Sequence, residues 1–93
     1  MSLQVQWTTQ FKKDYKLAAK RGRNMEALDN VIRMIANETA LPQKYYDHAL
    51  SGNFKGFREC HIEPDWLLVY AVEKNVLILT LFRTGTHSDL FNK

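Results

Sequence analysis

The chain has 93 residues and a mass of 10.9 kDa, enough for one hydrophobic core and too little for two. With 45% hydrophobic and 25% charged residues, four Gly and two Pro, the composition excludes a disordered, linker-like or collagen-like chain. The net charge of +3 is unevenly spread: residues 1–44 hold eight Lys/Arg against four Asp/Glu, and residues 45–93 hold five against six.

A basic half beside a nearly neutral half predicts a surface that meets an anion, nucleic acid being the leading candidate. A merely soluble basic protein is the alternative. No apolar run approaches the roughly 20 residues of a membrane helix, and the chain opens without a charged-then-apolar leader. The single cysteine, Cys60, can form no internal disulfide. These features predict a cytoplasmic protein held together by packing alone.

Leu3 to Trp7 alternates apolar and polar residues, predicting a short strand with one buried face. Thr8 or Thr9 can cap a helix over 9–21, which Gly22 closes. Phe11, Tyr15, Ala18 and Ala19 form its apolar side, whereas Lys12, Lys16 and Lys20 repeat on another face and Arg21 and Arg23 extend the charge. Asn24 can cap a second helix over 25–38, where Met25, Leu28, Val31, Ile32 and Ile35 keep helical spacing. Only Gly22-Arg23-Asn24 separates the two, so they form an αα-hairpin.

Periodicity then disappears from Glu38 to Asn53, a connection long enough to suggest function. Three strands follow, over 54–62, 66–73 and 76–83, with turns at Glu63-Pro64-Asp65 and Glu73-Lys74-Asn75. The order β-α-α-β-β-β predicts an α+β domain spanning 1–93, its helix pair packed on a mainly antiparallel four-stranded sheet, with a short C-terminal helical turn.

Antiparallel pairing also predicts where the chemistry gathers. A hairpin turning at 73–76 sets Arg83 opposite Trp66, and the preceding one sets His61 beside Trp66. One sheet end therefore collects His61, Asp65, Trp66 and Arg83, and the segment leaving it, Thr84-Gly85-Thr86-His87, adds a second imidazole. Such a set suits metal-free cleavage of RNA: a base for the 2′-hydroxyl proton, an acid for the departing 5′-oxygen, and a cation for the charge growing on phosphorus. Imidazole serves as acid or base near neutrality, Asp65 as base or as support for a histidine, and Arg83 as a forked phosphate clamp. Trp66 and Phe91 are candidates for stacking unpaired bases.

Taken singly, each residue also has a plain structural reading. His61 is a strand-end surface residue, Asp65 a turn residue, Trp66 a core residue, Arg83 a partner for Glu59 or Asp65, His87 a cap, and Phe91 an edge seal. The lysine stripe is a solvated helix face. His48, His61, Asp65 and His87 include metal-ligand types, but no His-x-x-x-His or Cys-x-x-Cys pair occurs, and Cys60 points away from His61. The reading is that no metal is bound. Gly52 to Phe57 opens a strand and not a helix, so it is a turn and no phosphate cradle.

The blocks from Tyr46 to Gly52 (DHxLxG), from Gly56 to Tyr70 (HxEPDW) and from Arg83 to Phe91 (RTGTHxxLF) closely resemble the YafQ toxins of the RelE/ParE superfamily. With Phe11-x-x-Asp14 and the basic helix behind it, the resemblance spans essentially the whole chain. It implies a ribosome-dependent endonuclease that cuts mRNA in the A site, leaving a 2′,3′-cyclic phosphate and a 5′-hydroxyl, with no metal or other cofactor. It further implies His48, His61, Asp65 and His87 as catalytic residues, His87 as general acid and one of the other three as base. Arg83 would stabilise phosphate, and Trp66 and Phe91 would lie around the mRNA.

The same resemblance implies that the basic face, with Lys12, Lys16, Lys20, Arg21 and Arg23, contacts ribosomal RNA. A cognate antitoxin of the DinJ/RelB kind would wrap the toxin, with operator DNA bound only through that complex and no membrane partner. His48 enters through the resemblance alone, since strand pairing leaves residue 54 at the far end of the sheet and only a loop folding back could bring His48 near. Two rivals remain: a superfamily member that binds without cutting, such as a gyrase poison, and a metal hydrolase using the same side chains.

Overall fold

The computed structural model describes residues 2–91. Its strands are β1 (Gln4–Trp7), β2 (His48–Ala49), β3 (Arg58–Glu63), β4 (Trp66–Glu73) and β5 (Ile78–Gly85), and its helices α1 (Thr9–Lys20), α2 (Met25–Ala36) and α3 (His87–Phe91). They form one sheet in the order β1-β5-β4-β3-β2, antiparallel except where β1 runs parallel to β5. The α+β architecture is as expected, but the sheet has five strands and not four. No helix among the described residues is long and apolar enough to cross a membrane.

The helix ends follow from their capping residues. Thr8 accepts a hydrogen bond from the Phe11 amide (3.0 Å) and donates its hydroxyl to the Phe82 carbonyl (3.0 Å), so the cap also ties α1 to β5. Gly22, at φ 79°, takes the left-handed conformation that ends α1, and Asn24 accepts from the Ala27 amide to start α2. The helices bury Phe11, Ala18, Leu28, Val31, Ile32 and Ile35 against Cys60, Trp66, Leu68, Tyr70, Leu79 and Leu81 of the sheet. Leu67 and Val69 alternate with that row and are buried on the opposite face, where Phe57 meets Phe82.

Several expected boundaries shift. β1 has no buried face of its own: as an edge strand it leaves Val5 and Trp7 over a third exposed, with only the preceding Leu3 in the core. β3 starts at Arg58 because a 3-10 turn occupies Gly52–Phe54, and α2 stops at Ala36. The 38–53 connection carries a 3-10 turn at Gln43–Tyr45 and then β2, which supplies the fifth strand.

β5 runs Ile78–Gly85 and not 76–83 because the turn before it is longer, with Leu77 at φ 56°. Consequently Arg83 lies opposite Val69 and not Trp66, Gly85 lies opposite Leu67, and a register shift falls between Val69 and Tyr70. In the other hairpin His61 lies opposite Leu67, while Glu63 faces Trp66.

Phe11 has no exposed surface and packs edge-on against Trp7 with ring centroids 4.9 Å apart. Phe11→Ala is expected to lower unfolding free energy by about 3–5 kcal/mol, read from the urea midpoint. A change below about 1 kcal/mol would show that α1 is not anchored through this ring.

Candidate active site

Strand alternation builds the site. Cys60 is fully buried in the helix-side core, which also pushes its thiol well above the ordinary range. Its neighbours Glu59 and His61 therefore point to the other face. β2 pairs His48 directly with Glu59, so the chain returning from the 38–53 connection delivers a second imidazole to that face. The Glu59 carboxylate, 8% exposed, lies 3.3 Å from His48 Nε2 and 3.5 Å from His61 Nε2. His48 Nδ1 lies 2.7 Å from the Tyr46 carbonyl oxygen, so each of its ring nitrogens faces an oxygen.

The third imidazole arrives from the end of β5. His87 opens α3, where Asp65 Oδ1 accepts from its backbone amide (3.0 Å) and lies 2.7 Å from Nδ1. That arrangement leaves Nε2 for a substrate. The bond from the His87 amide, followed by the contact with its ring, holds the Asp65 carboxyl below the usual aspartate range. The His61 and His87 rings are 5.7 Å apart, and the His48 and His61 rings 6.4 Å.

α3 is itself clamped. Asp89 and Thr86 exchange hydrogen bonds of 3.0 Å, and Arg21 reaches Asp89 at 2.8 Å. Arg21 and the Thr86 amide lower the Asp89 carboxyl, Arg21 contributing most. Gly85 permits this close packing, since a Cβ there would lie 3.0 Å from the Asp89 side chain.

His48, His61, Asp65 and His87 thus come together as expected, and Glu59 joins them. Arg83 does not. Its Nε and Nη2 bind Asp14 of α1 at 2.7 and 3.3 Å, so the guanidinium turns toward the helix and neither Glu59 nor Asp65 is its partner. Asp14, nearly buried, also accepts from the Thr84 amide and Gln10. The end-on fork of Arg83 has no other partner among the described residues.

Trp66 is fully buried, with the Arg23 guanidinium 5.4 Å from its ring, so it offers no open face for a base. Its indole nitrogen has no hydrogen-bond partner among the described residues. Arg23 pairs with Glu63 at 3.2 Å, and Arg21, Arg23 and Arg83 line one small cavity with Trp66. Lys12, Lys16 and Lys20 are exposed along α1. Phe91 is partly buried, edge-on to Phe54 with ring centroids 5.2 Å apart.

Sequence reasoning missed Glu59 as the hub of the histidines and Asp14 as the partner of Arg83. The signal for Glu59 lies in Glu59-Cys60-His61, where an apolar residue flanked by polar ones sorts the faces. Metal-ligand geometry, not expected from spacing, also appears. Atoms of Glu59, His61 and His87 lie within 4.8 Å of one another.

A helix pair packed on a small mixed sheet is a fold shared with solved bacterial toxins of toxin–antitoxin systems. The chain belongs to the YafQ toxin family, whose model matches residues 3–92. It is 42% identical over 88 residues to the mRNA interferase toxin YafQ of Escherichia coli K12, the match covering 94% of each chain. The toxin in the Escherichia coli DinJ-YafQ toxin–antitoxin complex superposes with a TM-score of 0.89 at 39% identity, covering 98% of this chain and 99% of that one. A metal-bound toxin from Helicobacter pylori superposes at 0.90 with 44% identity, covering 96% and 99%.

Because its carboxyl is depressed in the folded state, Asp65 favours the native fold fully above the ordinary aspartate range, and that contribution is lost as pH falls through its lowered value. Carbon-13 titration is expected to place the Asp65 midpoint below that of an exposed aspartate, and His87→Ala to move it up. A wild-type midpoint at or above the ordinary value would contradict the contact.

Proposed function

We propose that this protein is the toxin of a type II toxin–antitoxin pair, an endoribonuclease that cuts mRNA in the ribosomal A site and thereby stops translation. The observation that carries the reading is the single rim on which Glu59, His61, Asp65, His87 and His48 converge. Family membership and the mRNA interferase relative support the same reading.

His61 takes the proton from the 2′-hydroxyl, and the 2′-oxygen attacks phosphorus. The bond to the 5′-oxygen breaks as His87 Nε2 delivers its proton to the leaving oxygen. The products are a 2′,3′-cyclic phosphate and a 5′-hydroxyl. Asp65 holds His87 through Nδ1 and supports the positive ring. Glu59 faces His61 from the Nε2 side, leaving Nδ1 for the 2′-hydroxyl, and His48 stands beside both as a further imidazole donor to the phosphate.

Arg83 acts on a flanking phosphate through its free fork, with Arg21 and Arg23 beside it. Lys12, Lys16 and Lys20 meet ribosomal RNA, whose phosphates reward a cationic helix face. Phe91 stays at the edge of the RNA path. The regulatory partner is a DinJ-like antitoxin, and the complex, not the toxin alone, binds operator DNA. Ribosomes and the lone buried thiol of Cys60 both suit the cytoplasm.

A second reading has a specific observation behind it. Glu59, His61 and His87 could hold a transition metal, and the Helicobacter pylori relative is described as metal-bound. A metal there would occupy the two rings that the acid–base route needs free, so the two readings separate experimentally.

In reconstituted translation, His87→Ala is expected to lower cleavage at least about a hundredfold, and EDTA, at levels that spare the ribosome's magnesium, to leave wild-type cleavage intact. Chelator-sensitive cleavage would favour the metal. Growth arrest without codon-phased cuts, equal in wild type and His87→Ala, would favour a non-cleaving toxin such as a gyrase poison.

A further inference from the structure

We propose that the cavity beside the imidazoles seats one unpaired nucleobase of the RNA, with the Tyr46 ring as its stacking face. The inference rests on the cleavage reading above and names the residue that grips the base next to the cut.

The cavity measures about 680 Å³, ample for a purine or a pyrimidine, and its walls include Ala27, Lys44, Tyr45, Tyr46, His48 and His61. It therefore opens onto two of the imidazoles. Tyr46 is 68% exposed, and its ring meets that of His61 edge-on with centroids 5.8 Å apart. A base lying on Tyr46 thus has its own sugar and phosphate within reach of the histidines. Lys44, whose ammonium lies 5.2 Å from the Tyr45 ring, adds a cation for the backbone. Trp66, which the sequence offered with Phe91 as a stacking residue, is buried and cannot take that role.

The backbone lets the ring be tested apart from the turn. Tyr46 sits at φ 48°, a left-handed conformation that Gly or Asn adopts at less cost than a bulky side chain. Glu38 and Leu77 share this conformation, so it is the exposed ring beside the imidazoles, and not the turn, that points to a ligand. The Tyr46 carbonyl does separate work, accepting from His48 Nδ1. Ring and backbone can be tested apart, because glycine removes the first and favours the second.

Single-turnover cleavage on programmed ribosomes would compare wild type with Tyr46→Phe, Tyr46→Ala and Tyr46→Gly. Both Tyr46→Ala and Tyr46→Gly are expected to raise the half-saturating toxin concentration about tenfold, with maximal rate and pH profile unchanged. Tyr46→Phe should stay near wild type. Unchanged saturation in Tyr46→Gly would overturn the proposal. So would a loss in Tyr46→Ala that Tyr46→Gly restores, which assigns the residue a backbone role alone.

A second readout is independent of cleavage. A short single-stranded RNA carrying 2-aminopurine, titrated into the His87→Ala protein, is expected to be quenched when Tyr46 is present and not when it is glycine. Should the wild type prove unable to cut RNA, the cleavage reading falls while this comparison still decides the base seat. Tyr46-dependent quenching upholds it, and equal fluorescence in both proteins overturns it.

Discussion

The burial of Cys60 is the constraint on which the site depends. With no exposed surface, this residue fixes the facing of β3, and a one-residue slip would carry both Glu59 and His61 into the apolar core. The cost of burying a carboxylate and an imidazole there makes the alternative register inaccessible. From this one assignment follows the rest of the rim: β2 adds His48 opposite Glu59, and the β3–β4 turn offers Asp65 to His87. The core thus aims the site through strand geometry.

A second constraint separates two electrostatic neighbourhoods. On one side, carboxylates of Glu59 and Asp65 face three imidazoles, an arrangement able to hold and pass protons near neutral pH. On the other, Asp14, Asp89 and Glu63 each hold an arginine near Trp66. α3 links the two, because His87 at its start meets Asp65 while Asp89, two residues on, meets Arg21. Short as it is, the helix is held at both points, and Gly85 lets it pack close to the strand it follows.

Much of this was legible in the sequence, and what was not has identifiable causes. β4 falls on the residues expected, because the apolar run from Trp66 is bounded by a Pro-Asp turn and by Glu73-Lys74-Asn75. The capped helices, the opposite facing of Cys60 and His61, and the approach of His87 to His61 and Asp65 also follow from local patterns. Arg83 was misplaced because the turn before β5 includes Leu77 in a left-handed conformation, which no propensity marks, and because β5 shifts register beyond it. The partner that then captures its guanidinium, Asp14, lies 69 residues earlier in the chain. β2 escaped notice because two paired residues show no periodicity, and His48 was placed by family resemblance alone. Trp66 carried two readings, and tertiary burial selected the core.

The account stands or falls on imidazole acid–base chemistry at this rim, and the ends of the cleaved RNA report on it most directly. Products of ribosome-bound cleavage should be analysed by enzymatic end-labelling and mass spectrometry, with a matched mRNA carrying a 2′-O-methyl ribose at the cut. A 2′,3′-cyclic phosphate and a 5′-hydroxyl, together with no cleavage of the methylated mRNA, are the predicted result. A 3′-hydroxyl and a 5′-phosphate, or undiminished cutting of the methylated strand, would contradict it.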